Sequence, residues 1–261
     1  METTNKFSMA RTASIIRKLL IEQSKANIMR LVVLFGSLIV LAILIGFAQG
    51  YFLDREDFDT AIPAEQAAFA IMLFILGSIY VSTAFNNLIP KTGRISMLSL
   101  PANSSEKFLA HWIVYIAMFL VAYFCAIWVA DWSRYILMKI IYGNCTYIQL
   151  MRWSNIFNSE GSVTIAIFLM YQSFFLLGSI VWPRYSFIKT YFALAILGSL
   201  YTLVAGGSIY FLMPIKYHYN ISFLQSFNPV HVQWYFSGTV CLINYTLTYL
   251  RLRESEVINR I

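Results

Sequence analysis

Charge is scarce in this chain. Only 12% of its 261 residues are Asp, Glu, Lys or Arg, about half of what a soluble domain carries. With 59% of residues hydrophobic, a water-facing surface cannot be assembled from the remainder. Cysteine is scarce as well: Cys125, Cys145 and Cys241 are odd in number and lack metal-ligand spacing, so neither a disulfide framework nor a zinc site follows. The sequence has no HExxH metal motif, no GxSxG nucleophile elbow and no GxxxxGK(S/T) phosphate loop. The chain is therefore not read as an enzyme, and hydrolysis of ATP by that loop has to come from a partner. No catalytic, cofactor-binding or metal-binding residue is identified.

What is present is apolar length. A helix needs about 20 mostly apolar residues to cross a hydrocarbon core about 30 Å thick. Six windows meet this: Leu31–Phe52, Ala67–Leu88, Leu109–Ala130, Val163–Trp182, Tyr191–Met213 and Val230–Leu250. Backbone polar groups find no water in lipid, so spanning segments are helices or closed barrels. Barrel strands alternate apolar with polar, and these windows do not. The expected fold class is all-α, a polytopic membrane protein with six spans. The first window follows about thirty polar and basic residues and is too long for a signal-peptide core, so it is expected to be retained.

Lys and Arg in short loops orient such a protein, because they are kept on the cytoplasmic side. Fourteen lie in the N-terminal segment, the second and fourth loops and the tail; five lie in the other loops. Both termini are expected to be cytoplasmic. Trp112 and Trp182 then mark inner span ends, Trp132 and Trp234 outer ones. The formal net charge of +7 is accounted for by this asymmetry, and no nucleic-acid partner is inferred. The expected organisation is a basic amphipathic helix over 1–30, a transmembrane domain over 31–250 and a cytoplasmic tail over 251–261. Ile16, Leu19, Leu20 and Gln23 fall near one face of the first helix and Arg11, Lys18, Glu22 and Lys25 near another, which suits the inner leaflet. A basic anchor without a moving role is an equal reading. The longest outer loop, Asp131 to Ser162, is apolar and aromatic and is expected to form a short interfacial helix.

No ionisable side chain falls at the centre of a span. Gln172 and Asn244 are the notable polar groups there, either hydrogen-bonding between helices or lining a path. The second loop carries the densest local instructions. In "SLPANSSEKFLAHW" Pro101 stops what precedes it, and Asn103 can cap a new helix. Glu106, three residues on, can close a capping box ahead of the apolar run. A helix over Arg94 to Leu100 would present Arg94 and Ser96 below the membrane, anchored by Met97 and Leu98, with Lys107 at the head of the third span.

"RISMLSLPANSSEKFLAHW", together with "YSFIKT" in the fourth loop and "YLRLRESEVINR" after the last span, resembles the membrane subunits of bacterial ABC exporters of the type-2 superfamily. The resemblance runs over essentially the whole chain. It implies a permease in the bacterial cytoplasmic membrane, working as a homo- or heterodimer in the lipid bilayer with a separate ATP-binding ABC subunit. It implies also that Arg94, Ser96, Met97, Leu98, Pro101, Asn103, Glu106 and Lys107 form an ATPase-coupling loop, with Arg184 and Lys189 a second cytoplasmic contact. The loop departs from the wider superfamily, because Lys91 and Arg94 stand without an acidic neighbour. A non-transporting scaffold or sensor related to such permeases, and a cation-coupled carrier, stay open as other classes.

Overall fold

The computed structural model describes residues 7–52, 58–88, 90, 93, 95–96, 102–142, 159–212 and 229–258. Apart from short turns these residues are helical, with no strand among them. In chain order the helices are α1 Met9–Glu22, α2 Ser24–Phe52, α3 Phe58–Val81, α4, α5 Ser159–Val181, α6 Ser186–Leu212 and α7 Pro229–Ile258. Helix α4 runs without a break from Ser104–Trp112 through a π-helical turn, Ile113–Ala117, into Met118–Tyr142. Four described segments are long and apolar enough to cross a membrane: Ser24–Ala48, Ser104–Ile141, Gly161–Val181 and Ser186–Val204. Glu65–Val81 is a shorter apolar helix.

Two expected boundaries move. The N-terminal helix does not run on to Arg30 but ends at Gln23, whose backbone (φ −105°, ψ 19°) leaves the helical region, and α2 begins at once with Ser24. As far as Tyr142 the stretch after Ala130 is a continuation of α4 and not a separate interfacial helix, while 143–158, the rest of the loop expected to hold one, lie outside the described residues. Nothing between Ala130 and Tyr142 breaks a helix, and the first glycine is Gly143.

Two clusters hold the bundle. One joins Leu34, Leu38 and Ala42 of α2 to Phe69 and Leu73 of α3, Phe119, Tyr123 and Ala126 of α4, and Phe168 of α5. The small side chains Ala42 and Ala126 let α2 and α4 approach closely. The second gathers one end of the bundle: Ile15 and Leu19 of α1, Phe85 beyond α3, Ala110 and Tyr115 of α4, Phe175 and Ile180 of α5, and Leu252 of α7. The first and last helices therefore meet at the same end. By contrast, α6 buries very little of its apolar window; Tyr201 and Leu203 are more than two-thirds exposed.

Helix α6 is nonetheless held tightly at its start. The turn into it contains Tyr185 at φ 60°, in the left-handed region that side chains other than glycine seldom adopt. A Cβ on Gly178 of α5 would overlap the Thr190 side chain of α6, so only glycine lets these helices close to this distance. Gly178→Val should lower stability by about 1–3 kcal/mol through overpacking, read as the thermal midpoint of the purified protein in detergent. Adding Thr190→Ala should recover part of the loss.

Candidate functional site

The gathered end of the bundle has a polar centre, and Glu106 is its hub. Glu106 lies in the first turn of α4, where the sequence of alternating small polar residues before an apolar run favours a helix start. Its Oε2 accepts the N–H of Asn103 at 3.1 Å, closing the capping box. Its Oε1 reaches across to α1, accepting the Ser8 N–H at 2.8 Å and lying 2.8 Å from Arg11 Nη2. The Glu106 side chain is fully buried, whereas Arg11 keeps 30% of its side chain exposed. One carboxylate thus satisfies an orphan donor at the start of each of two helices and pairs with a cation that water still reaches.

Further bonds follow the same seam. Lys18 of α1 donates to Ser96 Oγ at 2.8 Å and to its carbonyl at 3.3 Å. The Tyr115 hydroxyl, in the π turn of α4, donates to Gln23 Oε1 at 2.8 Å. Arg30, at the start of α2, donates to Asn27 Oδ1 at 3.0 Å and lies over the Tyr80 and Tyr115 rings, 5.3 and 6.0 Å from their centroids. Gln23, where the helix breaks, is therefore fixed by a side chain from another element. His111 stacks between Phe85 and Tyr115. Lys107, one helical turn before it, is buried too and only 3% exposed.

Of the residues expected at the coupling loop, Ser96, Asn103, Glu106 and Lys107 come together here. Arg94, Met97, Leu98 and Pro101 lie outside the described residues. Arg184 and Lys189 are exposed at the turn between α5 and α6, whose Ile180 and Phe187 pack in the same end cluster as α1. Asn244 of α7 donates to Ser173 Oγ of α5 at 2.8 Å, an interhelical hydrogen bond. Gln172 is fully buried, with neither polar atom partnered among the described residues, and it is wedged where a Cβ on Gly77 of α3 would overlap it.

Sequence reasoning missed a buried ionic group at the opposite end of α4. Arg134 pairs with Asp131 at 2.6 Å and with Glu65 of α3 at 3.2 Å, all three side chains being at most 6% exposed. Its local cue was the i, i+3 spacing of Asp131 and Arg134, which only becomes a cue once α4 is known to continue past Ala130. Among the described residues no three His, Cys, Asp or Glu side chains gather as a metal site requires. No family model, no curated protein and no solved structure matches this chain.

Proposed function

We propose that this chain is the permease subunit of an ABC-type exporter, with six helices crossing the bacterial cytoplasmic membrane and both termini in the cytoplasm. Helices α3, of 24 residues, and α7, of 30, would supply the two spans beyond the four long apolar segments. The permease would work as a homo- or heterodimer with separate ATP-binding subunits that hydrolyse ATP on its behalf. The observation that carries this reading is the Glu106 junction, which makes α1 and the head of α4 one mechanical unit.

In this mechanism the ATP-binding subunit presses on α1 and on the loop at Ser96 when it closes on nucleotide. Lys18 passes the load from Ser96 to α1, and Glu106 passes it from α1 to α4. A helix of this length tilts as a lever, so a small displacement at the cytoplasmic end changes access to a path between two permeases. Such a change needs contacts that differ between two states of the complex. Arg184 and Lys189 would give the ATPase a second point of contact. Gln172, unpaired among the described residues but packed against Gly77 of α3, would come to line the path only in the other state of the complex; Asn244 is engaged in holding α7 to α5.

The test is a photo-crosslinker at Ser96 and, separately, at exposed Arg17 of α1 in the membrane of the native host. Both should capture an ATP-binding subunit. Arg94→Glu should lower ATP-dependent export at least tenfold while the amount of folded permease stays unchanged. A working complex that tolerates Arg94→Glu and yields no crosslink from Ser96 would overturn the coupling role.

A further inference from the structure

The turn between α5 and α6 carries two cations with no counter-charge among the described residues. Elsewhere at this end of the bundle the charges are answered: Arg11 is paired with Glu106, Lys18 with Glu22 and Arg251 with Glu254, and Arg30 lies over two tyrosine rings. Arg184 and Lys189 are exposed and engage no hydrogen bond, ion pair or ring among the described residues.

Apolar surface lies directly beside them. Tyr185, Ile188, Lys189 and Phe192 recur at intervals of three and four, so they share one face of the turn and of α6. Tyr185, Ile188 and Phe192 are each between 65 and 70% exposed. The face continues to exposed Leu200, about 18 Å beyond Ile188 at 1.5 Å per residue. One leaflet offers an apolar depth of about 15 Å, so the face is long enough to carry an acyl chain. A lysine one turn inside such a helix lays its methylenes on the apolar surface and lifts its ammonium to the headgroups. Tyr185 supplies an independent sign. Its backbone at φ 60° is strained for a bulky side chain, and residues held in such conformations cluster at ligand clamps. Its ring is mostly exposed, so packing of that ring within the protein does not offset the strain.

We propose that this face binds an anionic phospholipid of the adjoining leaflet, with the phosphate between Arg184 and Lys189, Tyr185 against the glycerol region and an acyl chain along Ile188, Phe192 and Leu200. The cation pair selects net negative charge, because a zwitterionic headgroup brings an ammonium that the pair repels. The proposal goes beyond the exporter reading and rests only on α6 crossing the membrane. Under the exporter reading, lipid and ATPase would compete for Arg184 and Lys189.

The experiment is native mass spectrometry of the full chain released from phosphatidylcholine nanodiscs doped with phosphatidylglycerol of the same acyl chains. One phosphatidylglycerol per chain should stay bound, preferred at least tenfold over phosphatidylcholine. Arg184→Gln and Lys189→Gln should each weaken retention about fivefold, the contribution of one basic side chain at an anionic surface. Together they should weaken it at least tenfold. Both positions are exposed, so the thermal midpoint should not move, and Lys25→Gln, exposed on α2, should leave retention unchanged. Equal retention of the two lipids would overturn the proposal, as would an equal loss in Lys25→Gln, which marks unspecific attraction. A dimer released without lipid would overturn it too, by giving this face to a second copy. The chain is tested without an ATPase, so failure here leaves the crosslinking test at Ser96 untouched, and failure there leaves this one standing.

Discussion

Arg134→Met should destabilise the protein by about 3–5 kcal/mol, the cost of leaving buried charge without its counter-charge. Arg134 stands between Asp131 at 2.6 Å and Glu65 at 3.2 Å. Without it, two carboxylates that water hardly reaches face each other, one on α4 and one on α3. The loss should appear as a lower thermal midpoint in detergent, with α3 opening first by hydrogen exchange. Changing all three together, Glu65→Leu, Asp131→Leu and Arg134→Met, should return most of the stability, because apolar side chains there carry no desolvation cost. A triple variant as unstable as the single one would mean that the group serves packing geometry and not charge balance.

Glu106→Ala has the second large effect, and it is local. It strands the N–H groups of Ser8 and Asn103, each costing about 1–2 kcal/mol when buried without a partner. Arg11 contributes less, since its partly exposed guanidinium can turn to water. The expected result is faster hydrogen exchange throughout Met9–Glu22 and fraying at Ser104, with the α2–α4 cluster unchanged. Glu106→Gln keeps the volume but offers one carbonyl oxygen where two were used, so it should fall between Glu106→Ala and the native protein. If the exporter reading holds, ATP hydrolysis should persist in Glu106→Ala while export falls, because the lever is disconnected and the ATPase is untouched. Uniform loss of protection across all helices would show that Glu106 secures the whole fold and not the junction.

Much of the architecture was legible because it rests on local and compositional physics. Continuous apolar runs in a chain with so little charge leave helices in lipid as the consistent outcome, and Asn103 with Glu106 marks the start of α4 through a spacing of three residues. The limits of that reading show at particular side chains. Arg134 counted as an outer-loop cation because an apolar window ends near Ala130, yet a helix ends where its backbone is broken and not where its hydropathy falls. Gln23 read as part of an unbroken polar helix, whereas Tyr115, 92 residues away, holds it at the break.

The sequence by itself determined that the chain is helical, that several helices are long and apolar enough to cross a membrane and where α4 begins, since each depends on residues near one another along the chain. Only the tertiary structure decided what the carboxylate of Glu106 is shared between, that Arg134 is enclosed by Asp131 and Glu65, and that His111 is buried against Phe85 with one ring nitrogen unpartnered among the described residues. Those outcomes depend on which helix lies beside which, and helix packing in a membrane turns on shape fit summed over many weak contacts, which no short stretch of residues encodes.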